Sequence, residues 1–175
     1  MPDIFTPRKR SAVMAAIRSH GNKATELRLI RVFRAHGITG WRRGCVIRGP
    51  AYASIELRRG KQKTEDRRQK KPFSVRPDFV FPRSTGSGLR RAKPVAVFVD
   101  GCFWHGCPRH ATQPKTNARF WRDKIEGNRA RDRLVSRQLR RSGWRVIRVW
   151  EHELRRRDEA RLLHKLCSHL CPCRP

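Results

Sequence analysis

Residues 95–100 read VAVFVD, and the ten residues after them, 101–110, read GCFWHGCPRH. A strand that is covered on both faces carries apolar side chains at nearly every position, so the first stretch is typical of a buried central strand. The strand ends in a carboxylate, Asp100, and leads into a loop rich in cysteine and histidine. These sixteen residues therefore predict a sheet whose central strand delivers a polar site to one edge.

The rest of the chain supplies helices and further strands around this one. Apolar spacing predicts a short helix over 8–19 and a second helix that Asn22 caps and Gly37 ends. Strands are predicted at 41–47, 78–82 and 144–150, a long helix at 117 to about 141, and a basic helix at about 153–166. This order, α, α, β, β, β, α, β, α, predicts an α/β fold in which helices flank a mixed central sheet.

The charge of the chain indicates its partner. The sequence has 43 Lys and Arg against 14 Asp and Glu, a net charge of +29. Self-repulsion on this scale destabilises a compact chain unless a polyanion is bound, and nucleic acid is the polyanion it favours. An anionic membrane surface and a ribosomal-type structural role are the alternatives. Residues 56–71 hold eight basic and three acidic side chains, which predicts a solvated loop or a disordered insertion.

The chain shows no sign of a membrane or a secretory route. No apolar run reaches half of a membrane span, and the first residues, MPDIFTPRKRSAVM, lack the pattern of a signal peptide. A cytoplasmic location without membrane association is therefore expected. The six cysteines should be reduced there, so metal binding or burial is expected in preference to disulfides.

Carboxylates at the ends of predicted strands form the first candidate site. Asp78 follows Arg76-Pro77 at the start of one strand, and Asp100 ends the next one. Two such carboxylates can converge on one divalent ion, and hard oxygen ligands suit magnesium. Glu26, in the first turn of a helix, is a third candidate for the same ion. The alternative is that each is a capping or surface charge.

Cysteines and histidines form a second candidate site, suited to zinc. Cys102, Cys107 and His110 are spaced as a zinc half-site, and His152 is the best candidate for the fourth ligand. A rival cluster lies in the tail, and its members are His164, Cys167, His169, Cys171 and Cys173.

His105 and the two aromatic residues before it are open to two interpretations. A neutral imidazole at His105 can accept a proton from an attacking water; the alternatives are that it binds the zinc ion or is a satisfied surface histidine. Phe103 and Trp104 can wedge between base pairs, as can Trp121 and Met14, or else pack in the core.

Together these segments resemble the very short patch repair (Vsr) mismatch endonucleases. The resemblance rests on RKRSAVMAAIRSHGNKATELRL (8–29), RPDFVF (76–81), VFVDGCFWHGC (97–107), FWRDKIEGNRARD (120–132) and GWRVIRVWEHEL (143–154). It implies a restriction-endonuclease-like fold with structural Zn²⁺, and Mg²⁺-dependent nicking of double-stranded DNA. The nick would fall 5′ to the thymine of a T:G mismatch, as arises when 5-methylcytosine deaminates. A monomer with a functional link to a DNA cytosine methyltransferase and to mismatch-repair proteins is also implied.

The resemblance implies roles for individual residues as well. Asp78 and the main-chain carbonyl of Val99 would bind magnesium, and Glu26 and Asp100 would support its waters. His105 resembles the catalytic histidine. Asp132 would complete the catalytic set, on the helix that faces the site. The structural zinc positions match Cys102, Cys107, His110 and His152. The positions expected to contact DNA are Met14, Phe103, Trp104, Trp121 and Asn128.

The resemblance also sets the expected domain limits. It covers most of residues 5–155, which predicts an endonuclease domain over 1–155 and a basic C-terminal helix and tail over 156–175. At about 47–75 the family usually has a short loop, whereas this chain has a basic insertion. Two alternatives stay open: a restriction-type nuclease with another target, which would cleave matched DNA equally, and an inactive, zinc-stapled DNA-binding protein.

Overall fold

The computed structural model describes residues 25–49, 72–83 and 93–170, together with Thr6, Arg8, Lys9 and Ala12. Arg8, Lys9 and Ala12 are helical, within the range of the predicted first helix. The rest of that helix, with Met14, lies outside the described residues, as do the predicted cap Asn22, the insertion at 56–71 and the tail at 171–175.

The described elements are three α-helices, five strands and two 3₁₀ turns. In chain order they are α1 (Glu26–Ala35), β1 (Ile47–Gly49), β2 (Phe73–Val75), β3 (Phe79–Phe81), β4 (Val95–Asp100), α2 (Ala118–Arg141), β5 (Arg145–Trp150), two 3₁₀ turns (Glu151–Leu154 and Arg156–Asp158) and α3 (Glu159–Leu170). None of these helices is both long and apolar enough to cross a membrane.

Strand β4 lies at the centre of its sheet, as its apolar run predicts. It pairs antiparallel with β3, where Phe79 is opposite Val97, and parallel with β5, where Asp100 is opposite Trp150. The sheet is therefore mixed, with the order β3-β4-β5, and β1 and β2 form a separate antiparallel pair. The start of β3 and the ends of β4 and β5 meet at one edge, and this edge carries the polar residues.

The two faces of the sheet bury two apolar clusters. One face packs against α1 and α3 through side chains such as Phe33, Phe79 and Leu166. The other packs against α2, with Leu139 among its buried residues. Helices on both sides of a mixed sheet confirm the predicted α/β class, and α3 is part of the core because Leu162 and Leu166 are almost fully buried.

The structure corrects two predicted elements and adds one that the sequence did not predict. The predicted strand at 41–47 is reduced to a single bridge from Arg42 to Val80, because Gly44 adopts a φ of +68° and turns the chain before β1 begins. Strand β2 was not predicted. The last α-helix begins at Glu159, after two 3₁₀ turns, and not near residue 153.

Candidate active site and metal centre

Asp100 and Arg148 form the centre of the polar edge. Parallel pairing sets Arg148 beside β4, and its guanidinium donates from Nε to Asp100 Oδ2 and from Nη2 to Asp100 Oδ1, both at 2.6 Å. The same Nη2 lies 2.9 Å from Oδ1 of Asp132, on α2. The guanidinium carbon also lies 5.1 Å from the centroid of the Phe98 ring, a cation–π distance. Arg148 therefore ties both carboxylates together in a fixed geometry.

His105 joins this group through Asp132. Its Nδ1 lies 2.6 Å from Asp132 Oδ2 and 3.7 Å from Asp100 Oδ1. An ionised carboxylate can only accept a hydrogen bond, so Nδ1 carries the proton that is donated to Asp132. The other ring nitrogen, Nε2, is then the one that can take up a proton in the neutral imidazole.

Charge within the cluster stabilises its ionised forms. Burial lowers the pKa of His105, but the hydrogen bond to Asp132 and the charges of Asp100 and Asp132 outweigh it and raise that pKa above its ordinary value. Burial likewise opposes ionisation of Asp132, yet its bond to His105 and the charge of Arg148 hold the pKa of this carboxyl below its usual range. His105 is therefore paired with a carboxylate and not with a neutral acid.

The loop that carries His105 is clamped on α2. The side-chain amide of Asn128 donates to the Trp104 carbonyl at 2.9 Å, and the Cys107 amide donates to the Cys102 carbonyl at 2.9 Å. Gly106 has a φ of +61°, and a Cβ at this position would lie 2.8 Å from Cγ2 of Ile125. Only glycine permits both this turn and this close approach of the loop to the helix.

The predicted zinc residues come together beside this loop. The ligand atoms of Cys102, Cys107, His110 and His152 all lie within 4.8 Å of one another. His152 Nδ1 lies 3.3 Å from Cys102 Sγ and 3.6 Å from Cys107 Sγ, and Cys107 Sγ lies 3.8 Å from His110 Nδ1. The edges of a tetrahedron with ordinary Zn–S and Zn–N bonds are about 3.5 Å long, so these spacings fit one zinc ion.

Burial at this cluster opposes charge on the protein groups themselves. It raises the pKa of the Cys102 thiol to about 11. It also lowers the pKa of His152, and the nearby His110 lowers that pKa further. A neutral imidazole is the form that binds a metal, and a bound cation supplies the charge that stabilises a thiolate. The donor set is therefore chemically suited to zinc.

Asp78 and Glu26 line a separate cleft of about 240 Å³ at the start of β3. Asp78 Oδ2 accepts a hydrogen bond from the Val99 amide at 2.7 Å, so this carboxylate lies directly beside the residue whose carbonyl is the other expected magnesium ligand. Glu26 is buried and paired with Arg43. Asp100 contacts Arg148 and His105 instead, and its sharing of one ion with Asp78 stays a prediction.

The predicted wedge residues form an aromatic cluster at the surface. The Phe103 ring centroid lies 5.2 Å from that of Trp104 and 5.2 Å from that of Trp121, and Trp104 lies 5.9 Å from Trp121. All three are half-buried. Phe120, which was not among the predicted wedge residues, joins Trp121 at 5.3 Å and is 60% exposed. The cluster is apolar and partly open to solvent.

Arg148 is the site residue that the sequence did not reveal. The alternation of WRVIRVW at 144–150 predicts a strand, but only the parallel register with β4 shows that this arginine contacts Asp100. A basic side chain between apolar neighbours, in the interior of the predicted strand, was the available signal.

Comparison with known proteins relates the chain to enzymes that nick DNA. The type II nicking enzyme V.NmeAIP of Neisseria meningitidis serogroup A is 34% identical over 157 residues, which cover 89% of this chain and 86% of that protein. The type II nicking enzyme V.NaeI of Lentzea aerocolonigenes is 52% identical over 79 residues (45% of this chain and 42% of the relative). The DNA mismatch endonuclease Vsr of Escherichia coli K12 is 38% identical over 85 residues (48% and 49%).

By their names, these relatives are nicking enzymes and a DNA mismatch endonuclease. No family model matches the chain. The chain spans about half the length of V.NaeI and of Vsr, but most of V.NmeAIP. On the strength of that long match, the chain belongs to the Vsr family of DNA endonucleases.

Proposed function

We propose that the protein is a Mg²⁺-dependent endonuclease that nicks double-stranded DNA 5′ to the thymine of a T:G mismatch and so begins repair of deaminated 5-methylcytosine. The observation that carries the proposal is the contact of His105 with Asp132, which commits Nδ1 as a donor and frees Nε2 as a base. The proposed fold type within the α/β class is the restriction-endonuclease-like one.

The protein groups divide the chemistry between them. In the proposed step a water oxygen bonds to phosphorus and the water's proton passes to His105 Nε2. The bond from phosphorus to the leaving oxygen breaks, and that oxygen takes up a proton from solvent water. Asp132 then stabilises the imidazolium by charge. Asp100 serves the same histidine, because Arg148 binds both of its oxygens and holds it against His105. Together these contacts pre-organise the base before DNA arrives.

Magnesium would be held in the cleft at the start of β3. The donor set fits, since Asp78 and the Val99 carbonyl offer hard oxygens and Glu26 can hold coordinated water. When bound, Mg²⁺ neutralises charge on the scissile phosphate. Both carboxylate oxygens of Asp100 already accept hydrogen bonds from Arg148, so Asp78 is proposed as the principal ligand.

Zinc would act as a structural staple in this proposal. Its four ligands join the loop after β4 to the turn after β5, and that loop carries both His105 and the aromatic cluster. A metal at this point fixes the base and the aromatic residues relative to each other.

Mismatch recognition is proposed to use the aromatic cluster. A T:G pair is less well stacked than a Watson–Crick pair, so inserting Phe103 and Trp104 there deforms the duplex at lower cost. Met14 would add a contact from the N-terminal segment. DNA is the proposed substrate, and the link to a cytosine methyltransferase remains a prediction.

The test compares a T:G duplex with its matched T:A twin, each labelled on the thymine strand. A nick at the expected phosphate in the T:G duplex alone, dependent on Mg²⁺ and blocked when it is withheld, supports the proposal. A second candidate is a nicking enzyme without a mismatch requirement, since the names of several relatives mention nicking but no mismatch, and equal nicking of both duplexes would favour it. Tight binding without cleavage would indicate an inactive DNA-binding protein.

A further inference from the structure

One flank of helix α2 carries a row of arginines that the proposed reaction does not use. Arg129, Arg133, Arg137 and Arg140 follow one another at intervals of four, four and three residues, which places them on a single flank of the helix. Arg141 lies beside the end of the row. All of these side chains are exposed.

The arginine row and the catalytic cluster line the same groove. This groove has a volume of about 830 Å³, and Asp100, His105 and Asp132 form part of its wall. The two aspartates are already bound by Arg148. Across residues 25–49, 72–83 and 93–170, no carboxylate forms an ion pair with any arginine of the row. The groove therefore presents a line of positive charge that the described part of the chain does not neutralise.

Other basic residues of α2 lie outside the groove. Lys124 and Arg131 are also exposed, but they lie on the other flank and do not line the groove. Every basic residue of α2 that lines the groove is arginine, as is every other basic residue of the helix except Lys124. A guanidinium can hold a phosphate by two parallel hydrogen bonds, whereas lysine offers only a point charge. The arrangement fits a phosphate ligand better than it fits a solvated helix surface.

We propose that the arginine row binds the phosphates of duplex DNA on one side of the phosphate that is cleaved. The inference rests on the proposed function, because it takes the side of His105 as the place of cleavage. From Arg129 to Arg140 the helix rises about 16 Å, at about 1.5 Å per residue. Phosphates of one strand follow each other every 3.4 Å or so along the duplex axis, so the row spans about five nucleotides.

The first test of the arginine row is the salt dependence of DNA binding. The double variant Arg133→Gln/Arg137→Gln is compared with Lys124→Gln/Arg131→Gln, which removes the same charge from the other flank of the helix. Binding of a fluorescent duplex is measured without Mg²⁺ as salt is raised. Each lost phosphate contact lowers the slope of log K against log salt by about 0.9. Between about 50 and 200 mM salt, the groove variant should thus lose about tenfold less affinity than the parent, whereas the control variant should follow the parent.

A second measurement locates the contact. Duplexes are shortened to two base pairs on one side of the mismatch or on the other. Shortening one particular side should weaken DNA binding by the parent and by the control variant. The affinity of the groove variant should stay nearly unchanged. Equal slopes for the groove and control variants, or equal effects of shortening on all three proteins, would overturn the proposal. If the parent protein binds DNA as expected but fails to nick T:G DNA, the proposed function is refuted. The salt slopes of the groove and control variants would still test the arginine row.

Discussion

Replacing Arg148 by glutamine tests how the active site is held together. The change removes two hydrogen bonds to Asp100 and one ion pair to Asp132. The side chain of Asp100 is only 4% exposed, so its charge would be left buried with little compensation. Removing one partner of a buried pair costs about 3–5 kcal/mol. Arg148 and Asp132 are partly open to water, at 23% and 21%, so we expect the lower end of that range, about 3 kcal/mol.

A double-mutant cycle separates this interaction from lost packing. In Arg148→Gln/Asp100→Asn no buried charge is left alone, so the loss should shrink to about 1 kcal/mol. Arg148→Lys keeps the charge but loses the planar fork and should fall between the parent and Arg148→Gln.

Urea unfolding with zinc present and magnesium absent supplies the free energies of unfolding. If Arg148→Gln lowers stability by less than about 0.5 kcal/mol, or if the losses of the two single variants simply add, the Arg148–Asp100 interaction contributes little. The reasoning about a pre-organised cluster would then be wrong.

Three further changes test the metals and the aromatic cluster. Asp78→Asn should abolish nicking while leaving DNA affinity within about twofold, because it removes a metal ligand and not a phosphate contact; loss of binding instead would refute that role. Cys107→Ala should remove zinc and destabilise the fold, as measured by elemental analysis and thermal melting. Cys167→Ala, at an exposed cysteine, should keep both the zinc content and the melting temperature of the parent. Zinc retained by Cys107→Ala would count against the site. Phe103→Ala/Trp104→Ala should lower the T:G to T:A nicking ratio about tenfold or more, with metal content unchanged. A full mismatch preference in that folded variant would mean that the two rings only pack.

Strongly patterned elements were predicted well. The continuous apolar run at Val95–Asp100 forms the central strand, and α2 ends at Arg141, directly before Ser142-Gly143, as expected. Short elements were not predicted well, because β1 and β2 depend on pairing with each other across a long separation in sequence. Nothing in Phe73-Ser74-Val75 alone distinguishes a strand from an extended loop.

The candidate site likewise has a part that the sequence predicted and a part that depends on tertiary packing. The spacing of Cys102, Cys107 and His110 predicted a metal cluster, and the structure brings all three to His152. The contact of Arg148 with Asp100 and Asp132 could not be predicted, since it depends on the register of two parallel strands and on the position of α2. Local spacing reveals metal ligands that are near in sequence, whereas tertiary packing determines which charged side chains form ion pairs.

Single-turnover nicking of a T:G duplex by His105→Ala tests the central claim most directly. General-base catalysis contributes about 10²- to 10⁴-fold, so the rate with saturating Mg²⁺ should fall by about that factor. DNA affinity, zinc content and the melting temperature should stay close to those of the parent. A rate within about threefold of the parent would contradict the assignment of His105 as the base.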